Sequence, residues 1–187
     1  MIHCNEFAPI LLAGRDDEPD RIEGYAAVFY DGSPATEFRR HEKLKPERIG
    51  SRAFARSLGQ ADADILATFN HDKASILGRT ASGTLKVEAD DRGLRYSVQV
   101  GTRIGRDVAE LVQRGDVRGS SFTFVPRKIT RSRQAIVVED LDLLEVGPVV
   151  SPAYSGTNAE LRAFLRLSYL GKLVDHRAAA VTIFNGF

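Results

Sequence analysis

Apolar and polar residues alternate most plainly between Gly83 and Val100, "GTLKVEADDRGLRYSVQV". Leu85 and Val87 alternate with Lys86 and Glu88. Asp90-Asp91-Arg92-Gly93 turns the chain, and Leu94, Tyr96, Val98 and Val100 alternate again. A period of two on both sides of a turn predicts a β-hairpin with one wet face. "IEGYAAVFY" (22–30), rich in aromatic and β-branched residues, predicts a strand, and "DGSPATEF" after it carries turn chemistry. "DILATFN" (64–70), "GSSFTFVPRKI" (119–129) and "AIVVEDLDLLEVGPVV" (135–150) predict further strands.

Elsewhere the period becomes helical. "RIGRDVAELVQRG" (103–115) places Ile104, Val108, Leu111 and Val112 on one stripe, with Gly115 as a stop. "GSRAFARSL" (50–58) predicts a short helix with Ser51 as its N-cap. "SPAYSGTNAELRAFLRLSYL" (151–170) predicts a helix capped by Thr157 or Asn158, with Leu161, Phe164, Leu165 and Tyr169 as its stripe. Turns of hairpin length are common and βαβ spacing is not, so the expected class is α+β, mainly antiparallel, with two or three helices inserted. "DHRAAAVTIFNGF" (175–187) continues none of these patterns and reads as a tail or an exchanged strand.

Bulk composition narrows the function. The chain has 187 residues, 43% of them hydrophobic, which suits one domain with a real core. Twenty-six Lys and Arg against 25 Asp and Glu leave a net charge of +1, so no global field recruits nucleic acid or an anionic membrane. Arg127, Arg131 and Arg133 form one basic stretch, but no stacking aromatics are interleaved with it, and no nucleic-acid partner is expected. No apolar stretch approaches the roughly 20 residues of a membrane span, and the first residues lack a signal-peptide pattern. A single cysteine, Cys4, excludes an intrachain disulfide and suits a reducing compartment. Four histidines and one cysteine give no basis for a structural zinc site, and no metal or cofactor is expected.

Three places carry residues capable of chemistry. Asn70-His71-Asp72 follows an apolar strand: as turn residues Asn and Asp are commonplace, whereas His71 at a strand end could serve as a general base. Asp72 is a poor candidate to orient it, because adjacent side chains seldom have the geometry. Ser120 and Ser121 stand where a glycine loop meets an aromatic strand; either is an ordinary turn serine, or a nucleophile if a base lies within reach. This is not the strand-to-helix Gly-x-Ser-x-Gly elbow of α/β-hydrolases. Asp116, in "RGD", reads as a loop residue. Glu139, Asp140, Asp142 and Glu145 share the last long strand. Glu145 falls among Leu143, Leu144, Val146 and Val149, and a carboxylate there needs a partner, an imidazole or an arginine such as Arg131 or Arg133.

Gly24-Tyr-Ala-Ala-Val-Phe29, Gly50-x-x-Ala-Phe-Ala-x-Ser-Leu58, Asn70-His71-Asp72, Leu77-Gly78-Arg79-Thr80, Gly83-Thr84-Leu85 and Asp91-x-Gly93-Leu94 follow one another in an order that resembles the bacteriophage prohead (capsid-maturation) protease family. Arg114-Gly115-Asp116-Val117-x-Gly119-x-Ser121-Phe122-x-Phe124, Leu144-Glu145-Val146 and Pro152-Ala153-Tyr154 extend the match over roughly residues 22 to 165. The family is related to herpesvirus assemblin, which implies an assemblin-like β-barrel with flanking helices. The resemblance implies Ser121 as nucleophile, His71 as general base and Glu145 as the third member, with Asp140 or Asp142 as substitutes. It implies backbone amides near Gly119, or an arginine, as oxyanion donors. This chain has Gly147 where many relatives carry Ser, a departure directly beside Glu145.

The organisation expected on this basis is an N-terminal extension or edge segment at 1–21, a protease domain at 22–167 and a C-terminal tail at 168–187. The implied activity is that of a serine endopeptidase, acting inside the immature prohead in the host bacterial cytoplasm. The implied partners are the major capsid protein with its scaffold or delta segment, and the protease itself, with homo-oligomers possible. The competing expectation is a catalytically silent assembly scaffold of the same fold, which has no need of a His71–Ser121 pair.

Overall fold

A computed structural model describes residues 20–39, 44–153 and 156–162. Strand β1 (Arg21–Val28) is followed by a 3-10 turn at Pro34–Thr36, β2 (Glu47–Ile49) and helix α1 (Ala55–Leu58). Then come β3 (Leu66–Phe69), β4 (Asp72–Arg79), β5 (Leu85–Ala89) and β6 (Gly93–Gln99). Helix α2 (Arg103–Arg114), β7 (Gly119–Arg131), β8 (Ile136–Val149) and β9 (Asn158–Arg162) complete the order.

The strands form two sheets. One runs β5-β6-β1-β9, antiparallel throughout; the other has five strands, in which β8 pairs with β7 along one edge and with both β2 and β3 along the other, and β4 follows β3. The β2–β8 and β3–β8 pairs are parallel, so the second sheet is mixed. No closed barrel is found among the described residues.

The alternation read between Gly83 and Val100 is the β5–β6 hairpin, with Leu85, Leu94, Tyr96 and Val98 buried. They join Ile22 of β1, Phe122 of β7, and Val138, Leu141 and Val146 of β8 in one core, which α2 closes with Val108, Ala109 and Val112. Thr102 caps α2 by accepting from the Gly105 N–H, and Gly115 ends it in the left-handed region at φ 79°. Ile104, expected on the buried stripe, stays 37% exposed at the first turn.

Two expected helices are corrected. Residues 51–54 form turns, so the helix expected over Gly50–Leu58 shortens to the single turn of α1, and its N-cap is Phe54 without a capping side chain, not Ser51. The helix expected from Thr157 or Asn158 is replaced over Asn158–Arg162 by strand β9, and its remainder lies outside the described residues. The physical reason is the open edge of β1: its unpaired amides and carbonyls take an antiparallel partner, with Ile22 opposite Leu161. Thr157 clamps β7 instead of capping a helix, donating to the Ser120 carbonyl at 2.6 Å and accepting from its N–H at 3.3 Å.

Phe54 joins α1 to the second sheet. It is fully buried, with ring centroids 6.0 Å from Phe29 and 5.6 Å from Phe122, the residue after Ser121. Phe54→Ala is expected to cost about 3–5 kcal/mol, the usual range for emptying a buried aromatic site. In urea unfolding this appears as a lower midpoint at unchanged slope.

Candidate active site

The polar triplet at the end of β3 is both a turn and a chemical group. Phe69 pairs with Asp72, so Asn70 and His71 form a two-residue hairpin loop between β3 and β4. Their φ angles are +53° and +60°. Tight hairpins that follow the sheet twist require positive φ at both central residues, and Asn and His tolerate it better than most side chains. Each such residue costs of order 1 kcal/mol. Docking offsets that cost: the Asn70 N–H donates to the Pro148 carbonyl at 3.1 Å, and its Oδ1 accepts from the Val150 N–H at 2.9 Å. The hairpin tip is thereby fastened to the end of β8. Asp72 turns away from His71 and accepts from the Ala74 N–H at 2.9 Å and the Ser75 hydroxyl at 2.8 Å.

Fastening the tip puts His71 against Glu145. The imidazole Nδ1 lies 3.0 Å from Glu145 Oε1, with the ring 40% exposed and the carboxylate side chain 9% exposed. Thr68 of β3, fully buried, donates to the same Oε1, and Thr123 of β7 donates to Oε2 at 3.3 Å. Thr123 Oγ1 also lies 3.1 Å from His71 Nδ1. Burial alone pushes the Glu145 carboxyl up, but the hydrogen bonds from His71, Thr68 and Thr123 outweigh it and hold it below its ordinary 4.5. The group is therefore an anion at neutral pH. A carboxylate only accepts, so Nδ1 carries a proton, and in the neutral form of the ring the lone pair is on Nε2. That is the arrangement of a general base with its tautomer fixed.

The other acids of β8 have different partners. Arg56 bonds Asp140 Oδ2 at 2.8 Å and Asp142 Oδ1 at 2.5 Å; Arg127 also holds Asp142, and Lys128 holds Glu139 at 2.5 Å. Neither substitute for the third position thus faces His71, and neither Arg131 nor Arg133 partners Glu145.

The two serines separate by strand parity. Ser120 is fully buried, and its hydroxyl shares a hydrogen bond of 2.8 Å with the fully desolvated Tyr96 phenol, whose pKa burial pushes up. Its N–H is committed to Thr157, which removes it from the oxyanion donors expected near Gly119. Ser121 points to the opposite face, the face of Thr123, and pairs across the ladder with Gly147 while Thr123 pairs with Glu145. Thr68 and Thr123 were not singled out in the sequence; Thr123 was detectable as the residue one strand period beyond Ser121.

Gly147 has a steric role. A Cβ there would collide with the Thr68 carbonyl, because the end of β3 lies close beside its parallel partner β8 at this point. A serine at 147 does not fit this backbone. Gly147→Ser is expected to destabilise by about 3 kcal/mol, as overpacking at a rigid site does, and to loosen the hairpin tip; thermal melting and amide exchange at Asn70 check it. For Glu145, a lowered folded pKa means stability present above the unfolded value near 4.5 and lost as pH falls through the folded one. The stability gap between wild type and Glu145→Gln is therefore expected to be widest near neutral pH and to narrow below about pH 4.5, in paired denaturation curves taken across that range.

Among the described residues no His, Cys, Asp and Glu group of three is placed to hold a metal, and no helix is long and apolar enough to cross a membrane. Neither the curated proteins nor the solved structures return a match to this chain. A family model for caudovirus prohead serine proteases matches residues 11–167. The match covers every described element, including the turn with His71, the strand with Ser121 and the strand with Glu145. The chain belongs to the caudovirus prohead serine protease family.

Proposed function

We propose that this chain is a serine endopeptidase in which Ser121 is the nucleophile, His71 the general base and Glu145 the acid that orients it, within a protease domain at 22–167. The observation that carries the reading is the His71 Nδ1–Glu145 Oε1 contact of 3.0 Å, which leaves Nε2 as the free, basic nitrogen. Ser121 and Thr123 are one strand period apart, about 7 Å, on one face of β7. Thr123 touches the inner nitrogen of the ring, and the reading requires the outer nitrogen to reach the hydroxyl of Ser121, which is buried at 5% exposure. Ser120, turned into the core, is unsuited to the role.

In this mechanism Nε2 takes the proton as the Ser121 oxygen attacks a peptide carbonyl. The imidazolium forms against the Glu145 carboxylate and hands its proton to the leaving amine. Water, deprotonated by the same nitrogen, then releases the acyl group. Membership of a prohead protease family supports the phage prohead as the setting. The substrates of this reading are the scaffold or delta segment of the major capsid protein and the protease chain itself, cleaved inside the immature shell in the host cytoplasm. An assemblin-type barrel is part of the same reading, supported by the single core that the two sheets share.

Co-expression with the major capsid protein tests it. Ser121→Ala and His71→Ala are each expected to abolish processing, while Ser120→Ala retains it despite lower stability. Normal cleavage by both of the first two variants would leave an inert assembly scaffold as the only account of this fold.

A further inference from the structure

We propose that Thr68 and Thr123 are positioning residues for the base: together they fix which oxygen of Glu145 meets His71 and tie the imidazole to the nucleophile's strand. This rests on the reading of Ser121, His71 and Glu145 given above.

A glutamate reaches its carboxylate through three torsions, so burial alone does not aim it. Here both oxygens are assigned. Oε1 accepts from the Thr68 hydroxyl and from His71 Nδ1–H; Oε2 accepts from the Thr123 hydroxyl at 3.3 Å. Thr68 is well suited to the task. It is fully buried, β-branched and therefore stiff, and it sits on β3 only three residues before His71. The base and the donor that aims its partner thus move as one hairpin. Thr123 does a second thing. Its single hydroxyl proton goes to Glu145, so a lone pair faces the imidazole Nδ1–H at 3.1 Å, and that proton is shared between two acceptors. Because Thr123 and Ser121 share one face of β7, this contact sets the ring against the strand that carries the nucleophile. Loss of the Thr123 hydroxyl would free the ring to turn about its two side-chain torsions and leave Glu145 Oε2 without this donor.

The test uses the full chain and a fluorophosphonate probe, whose rate of reaction with Ser121 reports activation of the hydroxyl without a peptide substrate. Nitrogen-15 NMR of the His71 ring reports the tautomer in parallel. Thr68→Val and Thr123→Val keep the shape and remove the hydroxyl. Each is expected to slow labelling by about 10- to 100-fold, the loss typical of a hydrogen bond to a charged group, and to admit the Nε2–H tautomer. Thr68→Ser and Thr123→Ser restore most of the rate and the single Nδ1–H form, a rescue that mere space-filling does not predict. Should Thr68→Val fail to fold, Thr123→Val, at a half-buried site, decides alone. Valine variants that label at the wild-type rate with an unchanged ring tautomer would overturn the positioning role and leave the underlying reading intact. Wild type that labels no faster than His71→Ala would instead overturn the reading itself, and the proposal with it.

Discussion

A carboxylate removed from water must be answered by donors, and at Glu145 that requirement organises the second sheet. Three donors come from three places in the chain: Thr68 on β3, His71 on the hairpin tip and Thr123 on β7. None of them is near Glu145 in sequence. Stripped of these partners, the buried charge would cost several kcal/mol. With them, the ionised form is favoured over the protonated one. The same contacts that satisfy the anion hold an imidazole with one nitrogen occupied and the other free, so the stability of this corner of the fold and its chemical readiness have a common origin.

The hairpin tip shows how local strain is held in place. Positive φ at two consecutive non-glycine residues is unfavourable in isolation. It persists because Asn70 is bonded at both its backbone and its side chain to the end of β8, and because the glycine at 147 lets β3 lie close enough for those bonds to form. Thr157 plays a comparable part for β7, gripping both polar backbone groups of Ser120 one residue before Ser121. His71 and Ser121 are thus carried on short backbone segments anchored at the preceding residue, which is how a site on loops and strand ends attains fixed geometry.

Much of this was legible in the sequence, and for identifiable reasons. Strict alternation revealed the β5–β6 hairpin, and the stripe with its terminal glycine revealed α2, because those elements bury one face and the pattern records it. Glu145 was conspicuous as a charge among apolar neighbours, and its need for a partner followed from burial alone. The β9 segment was misread because its apolar spacing also fits a helix; the open edge of β1, a feature made by distant residues, decided the matter. The parallel pairing of β2 and β3 with β8 was hidden for the same reason, as no local turn announces a long crossover. Threonines 68 and 123 are unremarkable strand formers in one dimension and acquire their role only when β3, β7 and β8 are laid side by side.

The most direct measurement is a crystal structure of the protein after reaction with a fluorophosphonate. Phosphorus is expected on the Ser121 oxygen, with His71 Nε2 within about 3 Å of that oxygen and Nδ1 still on Glu145. Phosphorus on another residue, or an imidazole whose Nε2 faces away from Ser121 while the carboxylate remains filled by the two threonines, would contradict it.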